Sequence, residues 1–214
     1  MSGYLISFEG IDFCGKSLQA RLLYDHLLAM DLPAVFLREP GSTGISEKIR
    51  KIVLDKENDQ MVHEAELLLY SAARTQMVHQ EVIPFLRDGK IVICDRYYDS
   101  TTAYQGYGRE IDLDFVGKLN KFVTKGTTPN LTFLIDLDPE LAQTRNRKKG
   151  KSFDRLEKED IEFHERVRAG YLEIAGISDN RERVVVVPGN RPAPEIQEEI
   201  QKHVLSRLHS SSSR

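Results

Sequence analysis

The fold is decided by an early stretch of the chain, Gly10-Ile11-Asp12-Phe13-Cys14-Gly15-Lys16-Ser17, which closely follows the apolar run Tyr4–Phe8. The stretch matches G-x-x-x-x-G-K-[ST] at every fixed position, and a leucine-bearing helical segment comes next. Its glycines allow successive backbone N–H groups to point at phosphate oxygens, and the following helix adds its positive end. We therefore predict that these eight residues bind a nucleoside triphosphate. Lys16 is expected to reach the β- and γ-phosphates, and the Ser17 hydroxyl to ligate Mg²⁺.

The strand pattern extends along the whole chain. Short apolar runs with little alternation are typical of strands buried on both faces, and the sequence contains five: Tyr4–Phe8, Ala34–Leu37, Ile91–Cys94, Leu131–Leu137 and Val184–Val187. Helical segments separate them, including Val62–Leu86 and Ile161–Ala175, and an apolar stripe of Leu18, Leu22 and Leu27/Leu28 marks the first helix. This alternation predicts an α/β fold with a parallel five-stranded sheet. We expect one domain over residues 1–209 and a frayed tail over 210–214.

Composition narrows the functional class. Hydrophobic residues make up 40% of the 214 residues and charged residues 29%, which excludes a disordered chain. The net charge of −3 argues against a general nucleic-acid or anionic-membrane binder. We expect no membrane span or signal peptide and a cytoplasmic location. Cys14 and Cys94 are the only cysteines, and neither a disulfide nor a zinc site is expected from them.

The end of the third strand helps to show which class of phosphate-loop protein this sequence encodes. A guanine-reading Asn-Lys-x-Asp segment is missing, because the only Asn-Lys is followed by Phe122-Val123. Instead, Asp95-Arg96 ends the third strand. An acid there suits water-mediated Mg²⁺ binding, and the arginine fork suits a second phosphate, although a surface salt bridge is the alternative.

Asp12 permits two interpretations. A carboxylate inside an anion-binding loop needs a cationic or hydroxyl partner. Without one, Asp12 would be a solvated turn residue, and the residues alone leave both interpretations open.

Several further segments carry a specific resemblance. They span residues 4 to about 175 and read Phe8-Glu9-Gly10-Ile11-Asp12, Arg38-Glu39-Pro40-Gly41, Leu68-Leu69-Tyr70-Ser71-Ala72-Ala73-Arg74, Asp95-Arg96-Tyr97, Ser100 with Ala103-Tyr104-Gln105-Gly106-Tyr107-Gly108, Asp154-Arg155-Leu156-Glu157, and Glu165-Arg166-Val167-Arg168-Ala169-Gly170-Tyr171. In this order they resemble the thymidylate kinase family. The resemblance implies a three-layer P-loop NTPase fold and phosphoryl transfer from MgATP to dTMP.

The resemblance also implies roles for single residues. Tyr70 would stack on thymine, and Arg74 and Gln105 would hydrogen-bond the base. Tyr104 would lie against the deoxyribose and exclude a 2′-hydroxyl. The full set of implied dTMP contacts is Tyr70, Arg74, Arg96, Ser100, Tyr104 and Gln105. Taken singly, each could instead be a core tyrosine, a surface arginine or a loop glutamine.

The basic stretch 145–155, with six Lys/Arg and one Asp, falls where the family has a mobile lid. The implied lid covers about 145–156 and would close over ATP, although a solvated basic loop is the alternative. Phe13 stands where some family members carry a loop arginine, so the catalytic cation is expected from the lid. Our order of candidates is Arg155, Arg147, Arg145.

These inferences combine into one expected enzyme, a dTMP kinase with catalytic Lys16, Asp12, Arg96 and Arg155. Mg²⁺ is its expected cofactor, held by Ser17 and, through water, by Asp95. The resemblance implies a homodimer, and the helix near Val62–Leu86 could supply its interface. Two alternatives are another pyrimidine nucleoside monophosphate kinase and a non-catalytic ATP-binding regulatory protein.

Overall fold

The sheet has the predicted architecture. The computed structural model describes the backbone of residues 3–149 and 154–212, and the side chains of 3–147 and 154–208. Its five strands pair in parallel in the order β2-β3-β1-β4-β5. Their bounds are β1 Tyr4–Glu9, β2 Ala34–Arg38, β3 Ile91–Asp95, β4 Leu131–Asp136 and β5 Val184–Pro188. Each predicted strand is confirmed to within one residue at either end.

Helices connect the strands. Their bounds are α1 Lys16–Ala29, α2 Gly44–Leu54, α3 His63–Met77, α4 Ile83–Arg87, α5 Tyr98–Thr101, α6 Leu113–Val123, α7 Pro139–Lys149, α8 Ile161–Gly176 and α9 Ala193–Ser212. A π-helical segment, Val78–Val82, joins α3 to α4, and a second, Thr102–Gly108, continues α5. The predicted helical segment Val62–Leu86 is therefore an α–π–α path.

Side chains from both faces of the sheet are buried. In β3, Ile91 and Ile93 belong to a core with α1, α8 and α9, whereas Val92 and Cys94 belong to a second core with α3 and the following π-helical segment. Successive strand residues point to opposite faces, so the sheet is the middle of three layers. This explains why the strands read as continuous apolar runs.

The predicted apolar stripe of α1 is wrong in part. Leu18 is 52% exposed and Leu28 is 44% exposed, whereas Ala20, Leu23 and Leu27 are fully buried. These three lie at spacings of three and four residues, which is one face of a 3.6-residue helix. Lys16 precedes Ala20 by four residues and begins the same buried face.

Two sequence predictions concern segments that the structure describes only in part. Helix α9 continues to Ser212, so it includes most of the segment predicted as a frayed tail, and residues 213 and 214 lie outside the described residues. Of the predicted lid, residues 145–149 are the end of α7 and residues 150–153 lie outside the described residues. The two cysteines, Cys14 and Cys94, are buried and free.

Candidate active site

The loop between β1 and α1 has the geometry that its glycines predict. Gly10 has a φ of +135°, and a Cβ there would lie 2.5 Å from the Ile135 carbonyl oxygen. Gly15, which caps α1, has a φ of +106°. Side chains are excluded at the first position by contact and disfavoured at both by backbone conformation. The Lys16 Nζ donates to the Ile11 carbonyl at 3.2 Å, which holds the ammonium over the loop.

Asp12 has the partners that the loop position requires. Its Oδ1 lies 2.6 Å from Arg96 Nη2 and 3.5 Å from Lys16 Nζ, and Tyr104 donates to its Oδ2 at 2.7 Å. Burial alone would raise the pKa of Asp12, but Arg96 and Lys16 hold that pKa well below its usual range. Asp12 is therefore a paired carboxylate and not a solvated turn residue.

Arg96 is fixed from several directions. It stands directly after β3 with a left-handed backbone, φ 73°, and its guanidinium turns back to the loop. Its Nη1 donates to the Gly10 carbonyl at 3.0 Å, and to the hydroxyls of Ser100 and Tyr171 at 3.1 Å each. These contacts exclude the surface salt bridge that was the alternative for Asp95-Arg96.

Glu9 supports the arrangement around Arg96. It was not predicted as a site residue. It is fully buried and accepts hydrogen bonds from Tyr97 N, Ser100 Oγ and Tyr171 Oη. Burial, reinforced by nearby Asp99, raises its pKa to about 7. Ser100 and Tyr171 both contact Arg96 as well, so Glu9 orients the hydroxyls that hold the arginine. The only sequence signal was its place in the segment beginning Phe8-Glu9.

One cavity brings the predicted residues together. The predicted loop and dTMP residues that line it are Asp12, Lys16, Ser17, Tyr70, Arg74, Asp95, Arg96, Ser100, Tyr104 and Gln105. Arg38 and Arg50 also line it and were not predicted. Arg38 pairs with Glu47 at 2.8 Å, and Arg50 donates to the Pro40 carbonyl at 2.9 Å. Arg38 stands in the Arg-Glu-Pro-Gly segment, whereas Arg50 carries no local signal.

Arg74 and Gln105 each have a buried carboxylate partner that the sequence did not reveal. Arg74 Nε donates to Glu39 Oε2 at 2.7 Å, and its other nitrogens contact Thr101 and the Tyr97 carbonyl. Burial raises the pKa of Glu39, although Arg74 acts in the opposite direction. Gln105 Nε2 donates to Glu66 Oε1 at 2.9 Å. Both predicted base-reading side chains are thus held in the cavity wall.

Comparison with known proteins identifies the family of this chain. The sequence model of the thymidylate kinase family matches residues 8–200. The chain belongs to the thymidylate kinase family. Thymidylate kinase of Pelotomaculum thermopropionicum is 45% identical over 185 residues, 86% of each chain. That of Sulfurihydrogenibium sp. is 46% identical over 194 residues, 91% of this chain and 93% of the relative. The crystal structure of thymidylate kinase from Ehrlichia chaffeensis has a TM-score of 0.78 and 32% identity, and the match covers 96% of this chain and 99% of that one.

Membership of the thymidylate kinase family confirms the resemblance and the P-loop NTPase fold. The P-loop here is the segment 10–17, at the carboxyl end of β1. In doubly wound sheets, ligands bind beyond the carboxyl ends of the strands. Among the described residues, no helix is both long enough and apolar enough to span a bilayer.

The arginines of the predicted lid have different surroundings. Arg155 is buried, with Nη2 2.6 Å from Glu66 Oε2 and Nε 3.1 Å from the Val53 carbonyl, and it does not line the cavity. Arg145 donates to the carbonyls of Cys14 and Gly189. Arg147 is exposed. These contacts argue against Arg155 as the first candidate, because its guanidinium would have to leave a buried ion pair to reach a phosphate.

The predicted magnesium ligands share the cavity. Asp95 is buried, and its Oδ1 has no hydrogen-bond partner in the described part of the chain. Ser17 is exposed and lines the same cavity. Hard oxygen donors of this kind suit Mg²⁺, which keeps water and phosphate oxygens among its ligands. Across residues 3–147 and 154–208, no group of three or more His, Cys, Asp or Glu side chains could hold a metal ion by itself.

Proposed function

We propose that this chain transfers the γ-phosphoryl group of MgATP to dTMP, giving ADP and dTDP for dTTP synthesis. Phosphorylation of dTMP by ATP is the activity of the family to which the chain belongs. The observation that carries the proposal is the single cavity lined by Lys16 of the P-loop and by the ring and amide side chains Tyr70 and Gln105. Neither alternative drawn from the sequence is favoured by a specific observation.

The donor side is the P-loop. Residues 10–17 bind the ATP phosphates through backbone N–H groups, and Lys16 neutralises charge on the β- and γ-phosphates. Its ammonium already lies over the loop, where it contacts the Ile11 carbonyl. Little reorganisation is then needed when ATP binds.

The acceptor side is centred on Arg96. Its guanidinium lies between the loop and Ser100, so it can hold the dTMP phosphate beside the transferring group. Asp12 keeps Arg96 and Lys16 together across the reaction centre. A general base is not required, because the dTMP phosphate oxygens are already anionic nucleophiles, and catalysis comes from positioning and charge neutralisation.

The nucleoside is recognised by the remaining side chains of the cavity. Tyr70 offers a flat face for the pyrimidine, and Gln105 and Arg74 offer hydrogen-bonding groups. The Tyr104 hydroxyl donates to Asp12, which holds its ring beside the position assigned to the deoxyribose. Arg38 and Arg50 add positive charge to the same wall.

Ser17 and, through water, Asp95 would hold Mg²⁺. Bound there with ATP, the ion would neutralise charge on the β- and γ-phosphates. The unpartnered Asp95 Oδ1 is the feature of the chain that supports this assignment.

The remaining catalytic cation comes from the lid, which we assign to about residues 145–156 of a single kinase domain over residues 1–209. We propose Arg147 ahead of Arg155 and Arg145. Its side chain is exposed, whereas the other two guanidiniums are engaged with Glu66 and with backbone carbonyls.

We also propose a cytoplasmic homodimer. Helices α3 and α6 pack together and both expose apolar side chains: Leu68 is 56% exposed, Phe115 50% and Phe122 78%. Phe115 and Phe122 are seven residues apart and share one helix face. Sedimentation equilibrium should give a dimer mass for the wild type and a monomer mass for Phe122→Asp. The two free cysteines support a reducing compartment.

The experiment that tests the function is ADP release from MgATP against dTMP, dUMP, dCMP and dGMP, with Lys16→Ala as the inactive control. We expect turnover with dTMP that exceeds every other acceptor and depends on Mg²⁺. ADP release from MgATP at the same rate with and without dTMP would contradict the proposal.

A further inference from the structure

Glu66 on α3 is the centre of a buried polar cluster that the mechanism above does not use. Its side chain has no solvent exposure, and three other side chains donate to it. Gln105 Nε2 lies 2.9 Å from Oε1, Arg109 contacts both oxygens at 3.2 and 3.1 Å, and Arg155 Nη2 lies 2.6 Å from Oε2. Of these donors, only Gln105 lines the cavity.

The charge of Glu66 determines which way the Gln105 amide faces. Burial acts to raise the pKa of Glu66, but hydrogen bonding and charge from Arg109, with Gln105 and Arg155, leave that pKa below its ordinary value. An ionised carboxylate can only accept hydrogen bonds, so the amide NH₂ of Gln105 must face it. The amide oxygen then points elsewhere, and it accepts no hydrogen bond from the described residues.

A fixed amide oxygen distinguishes pyrimidines by their N3 position. Thymine and uracil carry an N3–H, which donates to such an oxygen. Cytosine carries a bare N3, which would place two acceptors against each other. A glutamine without a fixed partner could rotate its amide and serve either ring, because its two ends are nearly equal in size.

We propose that Glu66 is a positioning residue that fixes the Gln105 amide oxygen toward the pyrimidine N3–H and so excludes cytosine. The inference rests on the proposed function, since it assigns the base to the Gln105 part of the cavity. Sites with buried polar groups strongly reject ligands that leave those groups unpaired, so we expect dTMP to be preferred over dCMP by about 10³-fold or more in kcat/KM.

The test compares kcat/KM for dTMP, dUMP and dCMP in the wild type and in Glu66→Gln. The variant replaces a pure acceptor by an amide of similar shape, so the Gln105 amide can turn. We expect the dTMP:dCMP ratio to fall about tenfold or more. The dTMP:dUMP ratio should stay within about twofold, since dUMP keeps the N3–H and differs only in the ring methyl.

Two matched variants separate positioning from general support. Arg109→Lys changes another partner of Glu66 and keeps the positive charge, and it should leave the dTMP:dCMP ratio within about threefold of the wild type. In a Gln105→Leu background, Glu66→Gln should change that ratio no further, because its effect acts through the amide. A fall of both ratios together in Glu66→Gln would overturn the inference and leave Glu66 with a structural role.

Should Glu66→Gln fail to fold, the wild type provides an independent measurement. The Gln105 side-chain NH₂ resonances can be assigned by their loss in Gln105→Leu. We expect them to exchange slowly with solvent, and to remain protected when dTMP is added. Loss of that protection on binding would show that the amide turns, and would overturn the inference.

The outcomes keep the two proposals distinct. A wild type that phosphorylates dTMP but has the same dTMP:dCMP ratio as Glu66→Gln overturns the role of Glu66 alone. A wild type that phosphorylates dCMP as well as dTMP does the same. A wild type that phosphorylates none of the three overturns the proposed function, and the assignment of Glu66 with it.

Discussion

Arg96 and Arg155 were both predicted to be catalytic cations, yet the fold treats them differently. Arg96 follows β3 directly and lies in the cavity, 2.6 Å from Asp12. Arg155 lies in the predicted lid segment but outside the cavity, 2.6 Å from Glu66. The two arginine–carboxylate pairs have the same distance, but the Arg96–Asp12 pair is partly exposed and is the one that involves the P-loop.

The difference shows what determines the position of each arginine in this fold. The position of Arg96 follows from the parallel pairing of β1 with β3, which brings their carboxyl ends together. The position of Arg155 depends on the Glu66 carboxylate and the Val53 carbonyl, which are both distant from it in sequence. Sequence predicts the first kind of placement well, because strand order is constrained by topology, and the second kind poorly.

The largest expected effect belongs to the part of the site that topology fixes. Lys16→Ala should lower kcat by about 10³-fold, because the ammonium is needed where negative charge develops on the transferring group. Steady-state ADP release measures the loss, and circular dichroism checks that the variant is folded. A near-native kcat would mean that the loop is not the ATP site.

The next effect tests the lid. Arg147→Ala should lower the single-turnover transfer rate by about 10²-fold with little change in KM for dTMP, since the contact forms in the closed complex. Arg155→Ala should slow transfer by less than about tenfold, but should lower the free energy of unfolding by about 3–5 kcal/mol, because it removes one partner of a buried ion pair. A 10²-fold slower transfer in Arg155→Ala would reverse this order and favour the ranking made from sequence. Unchanged transfer in both variants would remove the lid cation from the mechanism.

Gln105→Leu tests whether the two substrates have separate binding surfaces. We expect KM for dTMP to rise about 10- to 100-fold, because the base loses a hydrogen bond, and KM for ATP to change less than about twofold. Initial rates at varied concentrations of each substrate provide both numbers. Equal losses for ATP and dTMP would argue against the assignment of Gln105 to the base.

The smallest expected effect concerns Glu9, which orients the hydroxyls that hold Arg96. The pKa of Glu9 is raised from 4.5 to about 7, so folding takes up a proton between these values. This contribution to stability is present below about pH 4.5 and is lost as the pH rises through about 7. The unfolding free energy of the wild type, relative to Glu9→Gln, should therefore fall by on the order of 2 kcal/mol between pH 5 and pH 8. Urea titrations of both proteins measure it, and parallel pH profiles would contradict the assigned pKa.

The sequence predicted the sheet and the P-loop well because their signals are local. Each strand is one apolar run, and residues 10–17 form one fixed pattern. The stripe of α1 was wrong in part because that helix has leucines on more than one face. Leu18 and Leu23 differ in burial, and only packing against the sheet decides between them.

The parts of the site that could not be predicted from the sequence are ion pairs between residues far apart in the chain. Glu39 with Arg74, and Glu66 with Arg155, are separated by 35 and 89 residues. A single sequence contains many acidic and basic residues, so it does not show which of them form these pairs. Arg74 and Gln105 could be assigned to the cavity by resemblance, but not the carboxylates that hold them.

We infer that Arg96 is held ready for the acceptor phosphate. Single-turnover transfer from ATP, measured over a range of dTMP concentrations with wild type and Arg96→Ala, tests it most directly. We expect Arg96→Ala to slow transfer at least about 10²-fold and to weaken dTMP binding, with ATP affinity within about threefold of the wild type. A folded Arg96→Ala variant with unchanged transfer and dTMP binding would contradict it, and would reduce the Asp12–Arg96 pair to a structural contact.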